Sequence, residues 1–231
     1  MSVRQAIYFA PPPDTLLHAL GSRWLGRDAF TGEALEQPTA AGLSAVTAEP
    51  RRYGFHATMK PPFALRGTVS PEALLRAVAA LVAEEQCFRV SLKVSLLDRF
   101  LALVPREPCA PLHRIADRAV RELDGFRCRP SASELARRRS AGLSERQERH
   151  LVNWGYPYVF EDFRFHMTLT ERLPPTDADR FEAAAVEHFA PVLDTPVLID
   201  GLALFEEPAP GAPFLATRHF PFPHSVAEVA A

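Results

Sequence analysis

The pattern His-x-Thr occurs twice, as Phe55-His56-Ala57-Thr58-Met59 and as Phe165-His166-Met167-Thr168-Leu169. Each copy alternates polar with apolar residues as a half-buried strand does. Alternate strand residues share a face. His56 and Thr58 therefore point one way while Phe55, Ala57 and Met59 point the other, and the second copy repeats the division. The polar face continues to Lys60 in the first copy, and reads Arg164, His166, Thr168, Thr170 in the second. A chain with 8 His would meet this pattern less than once by chance, and the copies also share an aromatic before each His and an apolar residue after each Thr. Two such faces brought together supply one base, one acid and two hydroxyl donors, which is enough to cleave a phosphate ester without a metal.

The rest of the chain narrows the function classes. A length of 231 residues suffices for one domain or two tightly joined lobes. The formal net charge of -2 gives no overall basic footprint for nucleic acid. A small anionic ligand held by a local cluster of cations fits better, and no stable nucleic-acid partner is expected. Cys87, Cys109 and Cys128 form no C-x-x-C pair, so neither a zinc knuckle nor a disulfide framework is supported. With no H-x-H or H-x-x-x-H pair, a metal enzyme using His56 and His166 as ligands is the weaker option. No metal and no cofactor is expected, and there is no Gly-rich phosphate loop. No apolar run approaches a membrane span, and Met1 to Gln5 lacks the apolar region of a signal peptide. The expectation is a cytoplasmic protein without a membrane partner.

Punctuation and periodicity predict a strand from Val3 to Ala10, then a helix capped by Asp14 and running to about Trp24. An irregular stretch follows from Gly26 to Pro50. The first motif strand covers about Tyr53 to Lys60 and ends at Pro61-Pro62. Helices are predicted from Pro71 to about Glu85 and from Pro108 to Gly125, with a strand pair, Phe88 to Leu96 and Phe100 to Val104, between them. An Arg-rich segment at about 127–152 reads as two short helices broken at Gly142. The second motif strand spans about Phe163 to Thr170, ended by Pro174-Pro175. A helix from about Asp177 to Phe189 and short strands at 196–199, 201–205 and 214–219 complete the order, and the tail after Pro221 is expected to be loose. Strand, Pro-Pro, helix and strands thus occur in the same order after each motif. This predicts a duplicated α+β unit whose equivalent motif strands lie on either side of a cleft.

On these residues the chain resembles the two-histidine (2H) phosphoesterase superfamily, which includes RNA-ligase-like cyclic phosphodiesterases. The runs Arg51-Arg52-Tyr53-Gly54-Phe55-His56-Ala57-Thr58-Met59-Lys60-Pro61-Pro62-Phe63 and Phe163 to Thr170 look closer to the branch found in phosphonate-utilisation operons. Ala6-Ile7-Tyr8-Phe9-Ala10-Pro11 and Trp154 to Phe160 are similar to it too. The resemblance implies an α+β fold of two pseudo-symmetric lobes in one domain, residues 1–231, with antiparallel sheets forming a central cleft and helices outside. It also implies that His56, Thr58, His166 and Thr168 form the active site, and that substrates are cyclic phosphates on a ribose or small nucleotides. The Arg-rich insertion departs from smaller members of the superfamily.

The mechanism that follows makes one histidine the base and the other the acid, with Thr58 and Thr168 donating to the non-bridging oxygens. Lys60 and Arg164 extend the same faces as candidate phosphate contacts, and Tyr8 could stack on a sugar or base. Three functions compete. The first is a phosphoesterase acting on a small cyclic phosphodiester, such as a cyclic ribose phosphate from phosphonate breakdown. The others are an RNA 2′,3′-cyclic phosphodiesterase and a non-catalytic protein that binds a phosphate ester or nucleotide.

Overall fold

A computed structural model of the chain describes residues 3–140 and 142–223. Its centre is a seven-stranded sheet in the order β4-β5-β6-β2-β1-β8-β9. The strands are β1 (Arg4–Phe9), β2 (Ala57–Ala64), β4 (Leu92–Leu97), β5 (Phe100–Pro105), β6 (Met167–Thr168), β8 (Gly201–Glu207) and β9 (Leu215–Pro221). Every neighbouring pair in it is antiparallel. Strands β3 (Phe88–Val90) and β7 (Val197–Ile199) form a separate antiparallel pair. The α+β class read from the sequence is the class observed.

The two motif strands are hydrogen-bonded neighbours inside one sheet, with Ala57 opposite Met167. The expectation that they flank a cleft from opposite sides is thus corrected. An antiparallel pair has a local twofold axis at each such residue pair. Because 57 + 167 equals both 56 + 168 and 58 + 166, the axis sets His56 across from Thr168 and Thr58 across from His166.

The helices are α1 (Leu16–Leu25), α2 (Leu43–Val46), α3 (Ala48–Tyr53), α4 (Pro71–Ala83), α5 (Ala110–Glu122), α6 (Ala132–Arg139), α7 (Glu145–Trp154) and α8 (Pro175–Leu193). Helix α5 packs on β2, and α8 on β4 and β5. Ala57, Met59 and Met167 share one buried cluster with Leu112, Ile115 and Ala116 of α5 and with Phe181, Ala185 and Phe189 of α8. This cluster is the greasy side that the alternation required. Strand β1 is buried on both faces, and it contributes Ile7 and Phe9 to this cluster and Ala6 and Tyr8 to a second one with Phe205 and Phe214. Trp24 of α1 donates Nε1–H to the Leu169 carbonyl at 2.9 Å and ties the helix to the end of β6. Among the described residues no helix is long and apolar enough to cross a membrane.

Several boundaries differ from the sequence reading for identifiable reasons. Thr15 caps α1 in place of Asp14, its hydroxyl accepting from the His18 N–H at 3.2 Å. Helices α2 and α3 occupy the end of the stretch read as irregular, and Tyr53 closes α3 rather than opening a strand. Strand β2 runs through Pro61-Pro62 to Ala64. Its pairing with β6 involves Ala57, well before those prolines, so the N–H groups that they lack are not needed on that side. Beyond Thr168 the Leu169 and Thr170 N–H groups both reach the Leu101 carbonyl. The regular ladder ends there, and Thr170 turns in to accept from the Leu101 N–H at 3.0 Å. Phe222 is buried, and its N–H donates to Asp200 at 2.7 Å, so the loose tail does not begin at Pro221. Residues 224–231, where that expectation otherwise falls, lie outside the described residues.

Candidate active site

Both motif histidines are held by the same local device. Nδ1 of His56 lies 2.8 Å from the Gly54 carbonyl, and Nδ1 of His166 lies 2.7 Å from the Arg164 carbonyl. A carbonyl can only accept, so each Nδ1 carries the proton and each Nε2 is left as the proton-accepting atom. The Thr58 hydroxyl is 3.3 Å from Nε2 of His56. Gly54 makes its half of this arrangement possible. Its φ of 80° and ψ of 174° fall in a region open almost only to glycine. A Cβ there would also stand 2.4 Å from that of Ala29.

His56 sits in an aromatic frame. Its ring stacks on Tyr8 with centroids 3.8 Å apart, and Phe205 and Tyr53 follow at 6.1 and 6.3 Å. Burial lowers its pKa to about 4; the Gly54 carbonyl opposes that shift, and the charge of His166 adds to it. His166 is lowered as well, by burial first, against the Arg164 carbonyl and helped by the Arg164 charge. Both shifts favour the neutral imidazole. The phenol of Tyr8 is pushed well above its ordinary range, chiefly by burial.

The site opens into a groove of about 1620 Å³ lined by Tyr8, His56, Thr58 and Thr168, among others. Phe100 also lines it and stands 5.7 Å from the His166 ring. The groove wall carries Arg4, Arg52, Arg127, Arg129, Arg137 and Arg138, so the Arg-rich segment contributes directly. Its two helices are opened by capping boxes, Ser131 with Glu134 and Ser144 with Gln147. Arg4 and Arg52 are held by the carboxylate of Glu207, which is 1% exposed. Burial would raise that carboxyl. Hydrogen bonds from Arg4 and the Gly211 N–H, with the Arg52 charge, hold it below the ordinary range instead.

The structure brings Tyr8, His56, Thr58 and Thr168 to the groove; His166 stands across the strand pair from Thr58, next to Thr168, and is not among the residues that line the groove. It does not bring Lys60 or Arg164 with them. Tyr8 pairs with Thr58 but Ile7 pairs with Lys60, so Met59 is an extra residue in a β-bulge. The bulge turns Lys60 to the other face, where it is 2% exposed and donates to the Val120 carbonyl at 3.1 Å. Burial lowers its pKa to about 8, against the pull of Asp124. Arg164 is exposed and does not line the groove; its carbonyl, not its guanidinium, reaches the site. Sequence reasoning missed Arg4, Arg52, Tyr53, Tyr156 and Glu207. Arg4 was accessible to it, since Arg4, Ala6 and Tyr8 alternate on one face of β1; Glu207 carries no local signal. Among the described residues no three His, Cys, Asp or Glu side chains are grouped to hold a metal ion.

Comparison with known proteins gives the following. The ribose 1,5-bisphosphate phosphokinase PhnN of Janthinobacterium sp. (strain Marseille) is 41% identical over 229 residues, 95% of this chain and 51% of that protein. The protein of the same name from Laribacter hongkongensis (strain HLHK9) is 38% identical over 220 residues, 94% of this chain and 51% of that protein. The chain spans about half the length of these curated relatives. Among solved structures, E. coli LigT complexed with 3′-AMP aligns over 96% of this chain and 99% of its own, with a TM-score of 0.45 and 14% identity. A structure described as a phosphoesterase aligns over 95% of this chain and 98% of its own, at 0.40 and 13%. Likenesses that low say nothing of the site. The family model described as "Protein of unknown function (DUF1045)" matches residues 58–215, more than half of the chain, and the chain belongs to that family.

Proposed function

We propose that this protein is a phosphoesterase of the two-histidine type that opens a small cyclic phosphodiester, a cyclic ribose phosphate, without a metal. The observation that carries the reading is the matched pair of imidazoles, each fixed through Nδ1 by the carbonyl two residues upstream. With Nδ1 occupied, each ring has Nε2 left for proton transfer. One Nε2 takes a proton from water as the water oxygen bonds to phosphorus. The other, protonated, gives its proton to the ribose oxygen as its bond to phosphorus breaks. Thr58 and Thr168 donate to the non-bridging oxygens, where charge builds up.

The same reading treats residues 1–231 as one domain of two pseudo-symmetric lobes. The register of Ala57 with Met167 and the repeated histidine geometry support it. The substrate class draws on the curated relatives. Their name refers to a ribose bisphosphate, and this chain itself carries no Gly-rich nucleotide-phosphate loop. The kinase activity of that name then belongs to the remaining half, and this half acts on a related ribose phosphate ester.

A second reading, an RNA 2′,3′-cyclic phosphodiesterase, is favoured by size. The groove of about 1620 Å³ exceeds the roughly 300–1,000 Å³ of ordinary small-molecule pockets. Assay of the purified protein against a cyclic ribose phosphate and a cyclic-ended oligonucleotide, with phosphorus NMR of the products, separates the two. Turnover of the sugar ester is expected; turnover of neither removes the phosphoesterase assignment.

A further inference from the structure

The groove holds more positive charge than one phosphodiester requires: Arg129, Arg137 and Arg172 are exposed to water, and Arg52 and Arg127 are paired with carboxylates. Arg127 holds Asp124 at 2.9 Å, and Arg52 is shared between Glu49 and Glu207. Arg4 commits its Nε to Glu207, and its two terminal nitrogens have no hydrogen-bond partner among the described residues. Arg138 has no carboxylate within 4.0 Å among the described residues; its Cζ lies 4.7 Å from the centre of the Tyr156 ring.

Arg138 lies on the inward face of α6 with Glu134 and Leu135, which are half-buried too, and packs on the Tyr156 ring. Helix α6 has no fully buried residue, and the neighbours Arg137 and Arg139 are exposed, whereas Arg138 is half-buried against the groove. Burial lowers its pKa, with the charges of Arg137 and Arg4 pushing the same way and Tyr156 and Glu134 opposing. Arg4 of β1 and Arg138 of α6 line the same groove. Two guanidiniums lining one groove favour an anion bound between them.

We propose that Arg4 and Arg138 form a second anion subsite in the groove, which binds a phosphomonoester on the substrate apart from the phosphodiester cleaved at the histidines. The inference rests on the phosphoesterase reading above for the identity of the cleaved group. Guanidinium forks match phosphate oxygens in a bidentate way that an ammonium cannot. An aromatic wall links the two anion positions. Tyr53 stands 6.3 Å from His56, Tyr156 carries Arg138, and the two phenols are close enough to interact electrostatically. The substrate class is therefore a cyclic phosphodiester of a sugar phosphorylated at its far end.

Calorimetric titration with ribose 5-phosphate and with ribose tests the subsite without reference to catalysis. Wild-type protein is expected to bind the phosphorylated sugar and not ribose. Arg138→Met should weaken that binding by about 10- to 100-fold, the loss of hydrogen bonds to a charged group, and Arg138→Lys should recover part of it. Because the capping box that opens α6 is untouched and no side chain of α6 is fully buried, circular dichroism of both variants should match wild type. His56→Ala should keep the binding, which separates the subsite from the histidines. In turnover, the ratio of kcat/KM for a cyclic ribose phosphate with and without a 5-phosphate should fall toward one in Arg138→Met. Equal binding of ribose 5-phosphate by wild type and Arg138→Met, or loss of binding in His56→Ala alone, overturns the proposal. Binding as expected without turnover of either ester supports the subsite and counts against the phosphoesterase reading.

Discussion

Tyr8 lays its ring on the imidazole of His56, centroids 3.8 Å apart and planes inclined by 23°. The stack takes one face of the histidine out of water and favours its neutral form. Tyr8→Phe should leave the pKa of His56 near 4, whereas Tyr8→Ala should let it climb toward 6.5, read from the imidazole proton shifts in an NMR titration. Tyr8 is 1% exposed, so Tyr8→Ala should also cost about 3–5 kcal/mol in chemical denaturation. An unmoved His56 pKa in Tyr8→Ala would mean that the ring contributes packing alone.

Replacing either motif histidine by alanine should lower kcat on a cyclic phosphate by roughly 10²–10⁴, and EDTA should leave the wild-type rate unaltered. Full activity in both single variants would eliminate proton transfer by these rings.

Catalysis by this pair needs one neutral and one protonated imidazole. Both pKa values are lowered, His56 to about 4 and His166 to below its ordinary 6.5. The plot of kcat/KM against pH should therefore be a bell with both limbs below about 6.5 and a maximum on the acid side of neutrality. The two values belong to the pair, so the profile is the same whichever ring is the base. A maximum above pH 7 would contradict the desolvated setting of the rings.

Stability should follow the same histidines. A lowered native pKa means that the unfolded chain binds more protons between about 4 and 6.5, so folding is favoured as pH rises through that window and weakened as it falls. The urea midpoint should drop on acidification from 6.5 to 4, and His56→Gln should flatten the drop. An equal slope in the variant would place the titration elsewhere, at His166, His188 or His219, which burial also lowers.

Lys60→Met provides a control for the bulge. The ammonium is buried against Val120 and 3.9 Å from Asp124, which keeps Arg127 as a partner when the lysine is lost. Removing one partner of a buried ion pair destabilises when the other is left uncompensated; here Asp124 retains Arg127 and burial already disfavours the Lys60 charge, so the urea midpoint should hold or rise and KM should not change. A tenfold rise in KM would return Lys60 to the groove.

How much of this was legible in the sequence follows the range of each signal. Strand alternation is local, so the faces of His56, Thr58, His166 and Thr168 could be read directly, as could the capped helices opened at Ser70 and in the Arg-rich segment. A register shift is set by the partner strand, which is why Lys60 was assigned to the wrong face. Adjacency of β2 and β6 is a contact between residues 110 positions apart (167 − 57), and no local pattern encodes whether such strands pair or oppose. Glu207, which holds Arg4 and Arg52, is visible only once β8 lies against β1.

Gly54 contributes no side chain to the groove, yet the direction of its carbonyl decides which nitrogen of His56 carries the hydrogen. A methyl group at position 54 would meet Ala29 and be forced out of the glycine-only backbone basin, swinging that oxygen away. The imidazole could then exchange tautomers, and its reactive lone pair would no longer be committed to the groove. The acid–base character of this centre is in that sense stored in a peptide unit that takes no part in the chemistry, at a position that a search for reactive side chains would pass over.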